Sequence, residues 1–138
     1  MKNLFLLIVF LFSAVSYSQM AYPQTLIFKT KVVSMSYIDK NGKEQYQNGS
    51  STRGEFKFVF GKASTVEASP ILDIYGDSAQ KGYFAFVKRY DNRQVGNKIY
   101  EHNLFFSTEL NKGVHIYLTF DKSAIIIVYD DKMIEYTN

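Results

Sequence analysis

From Thr25 onward the apolar residues fall in short runs, and inside most runs they alternate with polar ones. In RGEFKFVFGK, residues 53–62, Phe56, Phe58 and Phe60 occupy one side of an extended chain, and Glu55, Lys57 and Val59 the other. In VHIYLTF, Val114, Ile116, Leu118 and Phe120 alternate with His115, Tyr117 and Thr119. Turn-forming pairs separate the runs: Asn41-Gly42, Gly49-Ser50, Gly76-Asp77, Gly96-Asn97, Asp121-Lys122 and Asp130-Asp131, with Asn111-Lys112-Gly113 between two others. The spacing predicts strands over 25–39, 43–48, 54–60, 70–75, 83–90, 98–108, 114–120, 124–129 and 133–137. No ten-residue segment carries the apolar spacing of a helix. The fold expected is all-β: a single antiparallel β-barrel or sandwich of about eight to ten strands. Residues 62–69 fit either a short strand or one helical turn.

Face matching assigns a register to one hairpin. A three-residue loop at Asn111-Lys112-Gly113 pairs Leu110 with Val114, Thr108 with Ile116, Phe106 with Leu118 and Leu104 with Phe120. Apolar groups then oppose apolar groups, and Gly113 takes the left-handed position that such a loop needs. This register turns His102 inward with Leu104 and Phe106. It puts His115 on the other face, beside Glu109. The next strand, AIIIVY, departs from alternation. Ala124, Ile126 and Val128 form one apolar face, and Ile125, Ile127 and Tyr129 form another. A strand with one wet face alternates, so both faces of this one must be covered. With Tyr117, the set Ile125, Ile127 and Tyr129 is the candidate interface with another chain, a homodimer included, set against cover from within the fold.

The N-terminus changes the picture. MKNLFLLIVFLFSAVSYSQ has a basic start at Lys2, an unbroken apolar run from Leu4 to Phe12, and small residues Ser16 and Ser18 before Gln19. The apolar stretch is short of the about 20 residues that a membrane span needs. Residues 1–18 read as a cleaved signal peptide and 19–138 as one β domain, exported to the periplasm or the medium. The mature chain is expected to hold no transmembrane segment. Cleavage leaves 120 of the 138 residues and, with Lys2 gone, 15 basic against 13 acidic side chains. The chain has no cysteine. An exported fold without disulfides must be stabilised by apolar burial, and thiol catalysis, redox chemistry and thiolate metal sites are excluded.

Chemistry-bearing patterns are sparse. With the two histidines on opposite faces and no cysteine, no metal site is expected. Ser78 in GDSAQ resembles a nucleophile elbow, but Gln80 stands where the second glycine belongs, so the segment reads as a polar turn. Residues 91–102 imitate a calcium loop with Arg93 and Val95 at ligand positions, and they read as a connection. Asn48-Gly49-Ser50 matches a glycosylation sequon and reads as a turn. Asp73, between Leu72 and Ile74, is the one acid in the middle of an apolar strand. RGEFKFVFGK overlaps an RNA-recognition consensus at only Arg53, Gly54 and Phe60, and the small net charge lacks the electrostatic attraction that nucleic-acid binding draws on.

Three stretches, SYSQ, LIFKTKVVSMSYID and AIIIVYDDKMIEYTN, give the chain a pattern that resembles small secreted all-β bacterial proteins of unassigned function. In size and strand number it is also similar to lipocalin-like barrels, although a chain without tryptophan lacks their Gly-x-Trp motif. The function expected is a non-enzymatic exported module, without cofactor, that binds a partner protein or an apolar small ligand. Phe56, Phe58, Phe84, Phe86 and His102 are its candidate ligand-binding residues. The alternatives are a small hydrolase using Asp73 or His102, and a self-assembling surface component.

Overall fold

The computed structural model describes residues 24–61 and 70–138; the signal-peptide reading and the segment 62–69 lie outside them. Nine strands follow in order: β1 Gln24–Ile38, β2 Glu44–Gly61, β3 Ile71–Tyr75, β4 Phe84–Arg89, β5 Arg93–Val95, β6 Lys98–Ser107, β7 Lys112–Thr119, β8 Ala124–Val128 and β9 Lys132–Thr137. Among the described residues there is no helix. Every pairing is antiparallel, and nearly all join chain neighbours. Two pairings close the circle: β9 returns to β1, and β4 bonds directly to β6, leaving β5 as a spur on the rim. The fold is a closed eight-stranded up-and-down barrel, so the choice between barrel and sandwich falls to the barrel.

Two expected strands, 43–48 and 54–60, are one continuous strand of 18 residues. Gly49 between them marks a bulge instead of a turn. Val33 pairs with Ser50 and Ser34 with Asn48, so Gly49 is the extra residue. Phe28 pairs with Phe56 and Thr30 with Arg53, which places Gly54 in a second irregularity. Bulges bend a strand without ending it, and glycine suits them for the same reason that it suits turns.

Eight strands enclose a space that side chains can fill. Phe28, Phe58, Phe60, Leu72, Phe105, Ile116, Leu118, Ile127 and Tyr136 are fully buried inside. The rings meet edge to face, Phe28 to Phe58 at 5.4 Å and Phe58 to Tyr136 at 4.7 Å between centroids. One rim is sealed by the β3–β4 connection, whose Asp77 reaches inward. Its Oδ2 takes the ammonium of Lys31 at 2.6 Å and a hydrogen bond donated by the Tyr136 hydroxyl at 2.7 Å, and its Oδ1 accepts from the Ala79 amide. Beside it the Tyr129 hydroxyl donates to Gln80 Oε1. Burial pushes the Tyr129 phenol up to about 12. Gly76 enters this connection at φ +85°, with the Glu55 carbonyl oxygen 2.1 Å from where a Cβ would stand.

The register of the β6–β7 hairpin corrects the expected one. Phe105 pairs with Val114, Asn103 with Ile116, and Glu101 with Leu118. The loop runs through residues 108–111, and Asn111, not Gly113, is left-handed at φ 52°. Gly113 lies within β7, where Leu104 covers it: a Cβ there would stand 3.0 Å from Leu104 Cδ1. Matching apolar to apolar failed because the outside of this barrel is apolar too. Leu104 and Phe106 face out, and β6 offers the interior Glu101, Asn103, Phe105 and Ser107.

Candidate binding groove on the outer face

The corrected register puts both histidines on the outer wall. His102 pairs with Tyr117, and His115 with Leu104, so the imidazoles lie diagonally across two adjacent strands. His102 Nε2 and His115 Nδ1 are 2.8 Å apart and share a hydrogen bond. The reading that placed His102 inside and His115 against Glu109 is therefore overturned. His102 is also held as the middle ring of a column. It stacks on Tyr90 at 4.6 Å and on Tyr117 at 4.4 Å, and the Lys88 ammonium lies 4.6 Å from the Tyr90 centroid. Partial burial, the His115 ring and the Arg93 charge hold His102 below the usual histidine range.

Two rows of outward side chains extend this column across the wall. One runs His102, Tyr117, Ile126, Glu135; the other runs Leu104, His115, Val128, Met133. Here β8 shows why it is apolar on both faces. Its inner set is Ile125 and Ile127, completely buried, and its outer set is Ile126 and Val128. The expected interface set is thereby divided: Tyr117 faces outward, while Ile125, Ile127 and Tyr129 are buried in the barrel. The outward groups to add, Ile126 and Val128, belong to the face that the other register had turned inward.

Tyr117, Ile126, Val128 and Met133 form the apolar floor of a groove of about 360 Å³, walled by Tyr46 of β2 on one side and by Arg93 and Val95 of β5 with Tyr100 on the other. Burial, Glu44 and Tyr117 together raise the Tyr46 phenol. A second depression, of about 400 Å³, opens on the sealed rim beside Gln80, Phe84, Leu110, Tyr129 and Asp130, and it carries several charges. A site of a few hundred Å³ with an apolar floor and few polar groups is the usual form of a small-molecule site, which ranks the outer groove first.

Phe56, Phe58 and Phe84 are buried in the barrel, and Phe86 is half-buried against Phe105 at 5.6 Å. They build the core, and His102 is on the other side of the wall from them. Asp73 pairs with Val59 on the outer surface of β3, between the inward Leu72 and Ile74. β4 separates its strand from the β6 of His102, so the two groups are not brought together. Ser78 is exposed in the 76–83 loop. Among the described residues no three His, Asp or Glu side chains converge as a metal site. The two histidines, though on one face, supply two nitrogens with the Arg93 charge close by.

No family model, curated protein or solved structure matches this chain. The reading of function therefore stands on the groove's own chemistry. AIIIVY signalled that both faces of β8 need cover, but the face expected to be outward, Ile125 and Ile127, is the buried one, and Tyr46, Val95 and Arg93 come from segments read as a short polar strand and a connection.

Proposed function

We propose that this is an exported, non-enzymatic β-barrel module that binds an apolar small ligand in the groove on its outer face. The observation that carries the reading is the floor of Tyr117, Ile126, Val128 and Met133 lying between two raised walls. Apolar side chains on a wet surface are ordinary when scattered; gathered in a walled concavity, they favour an apolar occupant. The packed rings of the barrel favour this face over an internal calyx. Export rests on the N-terminal sequence and its likeness to small secreted bacterial proteins. The absence of any brought-together pair from Asp73 and His102 favours binding over hydrolysis.

A partner protein is the second reading. Met35, Tyr37 and Ile38 are 46%, 48% and 68% exposed at the end of β1, next to the strand that carries Tyr46. They extend the apolar surface beyond what a small ligand uses. The neutral fluorophore N-phenyl-1-naphthylamine tests the first reading. It is expected to brighten on the wild-type protein and not on Ile126→Asp or Val128→Asp, both of which change the outward row only. Equal brightening on all three proteins sinks the groove. Absence of brightening on the wild type, with concentration-dependent dimerisation by sedimentation, favours the second.

A further inference from the structure

The apolar floor does not account for one feature of the groove: among the described residues its one charged lining residue is a cation, Arg93. Several described basic groups elsewhere on the barrel are matched. Lys29 meets Glu55, Lys31 meets Asp77, Arg89 lies against Glu101, and Lys112 meets Asp130. Lys57, Lys88 and Lys132 sit over the rings of Tyr75, Tyr90 and Tyr129. Among the described residues, Arg93 has no carboxylate within ion-pair distance. Its field still enters the site, because it contributes, after burial and His115, to the lowering of His102.

The strand that carries Arg93 makes little structural use of it. β5 has three residues, all exposed, and pairs only with β6 through Arg93 to Tyr100, Gln94 to Ile99 and Val95 to Lys98. Val95 of the same strand also lines the groove. β5 therefore holds one guanidinium and one methyl-bearing side chain at the edge of the apolar floor. On the far side, Glu135 stands next to Ile126 in the outward row and Glu44 bears on Tyr46. These carboxylates stand beyond the floor, away from the β5 wall.

We infer that the groove takes a monoanion with an apolar body, an alkyl or aryl carboxylate, whose head pairs with Arg93 and whose tail lies on Tyr117, Ile126, Val128 and Met133. This rests on the reading of the groove as the binding site and names its ligand class. A guanidinium presents two parallel N–H donors in the spacing of a carboxylate, and the pair is stronger than a neutral hydrogen bond. A bound metal cation is disfavoured by the same Arg93. Glu135, paired with Ile126, favours a head at the Arg93 end over the opposite one.

The test compares 4-phenylbutyrate with its neutral amide by calorimetry on the wild type, Arg93→Gln and Ile126→Asp. The acid is expected to bind at least about tenfold more tightly than the amide, as a charge-assisted bond implies. Arg93→Gln reduces the acid to the affinity of the amide, and Ile126→Asp removes both. Arg93 is exposed on a spur, so an unchanged melting temperature checks that its variant folds. Equal binding of acid and amide, unaffected by Arg93→Gln but lost in Ile126→Asp, overturns the anion and leaves the apolar groove standing. Failure of both ligands on the wild type, or binding that ignores both substitutions, overturns the groove as well.

Discussion

The seal on the barrel rim rests on a single carboxylate, and Asp77→Asn tests how much it contributes. Asp77 and Lys31 have side chains only 5% and 13% exposed, 2.6 Å apart. Replacing the carboxylate strands an ammonium in a nearly dry site. Removing one partner of a buried pair costs about 3–5 kcal/mol, mainly for the charge left behind. With an unfolding entropy of about 2.1 cal/mol/K per residue, a domain of this size loses about 4 °C per kcal/mol, so the melting temperature should fall by about 12–20 °C at pH 7. The double variant Lys31→Met with Asp77→Asn should recover much of that loss, since no charge is then stranded. pH supplies an independent check. Burial alone would raise the Asp77 carboxyl, but Lys31, the Tyr136 hydroxyl and the Ala79 amide outweigh it and hold it below the usual carboxylate range. A lowered folded value means that the stabilisation is present above the unfolded pKa of about 3.9 and is lost as pH falls through the folded value. The gap between wild type and Asp77→Asn should therefore close in acid. A loss below about 0.5 kcal/mol at pH 7, with no dependence on pH, would falsify this account of the seal.

Two further substitutions probe the wall from inside. Glu101 is buried with Oε2 unpartnered; burial raises it, against the opposing charges of Arg89 and Lys122. A raised folded value means that its favourable contribution exists below the unfolded pKa of about 4.3 and is lost as pH rises through the folded one. Glu101→Gln is therefore expected to stabilise by about 1 kcal/mol at pH 7 and by nothing near pH 4, measured by urea midpoints at the two pH values; destabilisation at pH 7 would reject it. Gly76→Ala forces a Cβ to within 2.1 Å of the Glu55 carbonyl at a left-handed φ. It should cost at least about 2 kcal/mol in chemical denaturation, and a neutral result would mean that the 76–83 loop does not lie on β2 in this way.

Much of the fold was legible because period-two alternation survives in a barrel wall. The nine strands sit near the expected runs, with β5 the addition and β2 the fusion. One glycine misled in a specific manner. Gly49 carries the residue type of a turn but bulges a continuing strand, and only pairing partners distinguish the two. The register of β6 against β7 misled for a different reason. Face matching assumes a wet exterior, yet Leu104, Phe106, Ile126 and Val128 are outward, while Glu101 and Asn103 are inward. That one slip moved both histidines to opposite sides and hid their hydrogen bond. The doubled apolar character of AIIIVY was the informative anomaly, although it could not say which face was the wet one. Asp77 was invisible, since in GDSAQ an inward carboxylate and a solvated turn look alike; only Lys31 and Tyr136, 46 and 59 positions away, make the difference.

The proposed binding site lies on the outer wall of the barrel and not within. Amide and methyl NMR shifts, followed while N-phenyl-1-naphthylamine is titrated in, test it most directly. The account predicts that changes gather at Tyr46, Val95, Tyr117, Ile126, Val128 and Met133, while Phe58, Ile116 and Ile127 in the core stay still. Shifts centred on Phe56, Phe58 and Phe84 would contradict it and place the ligand inside the barrel.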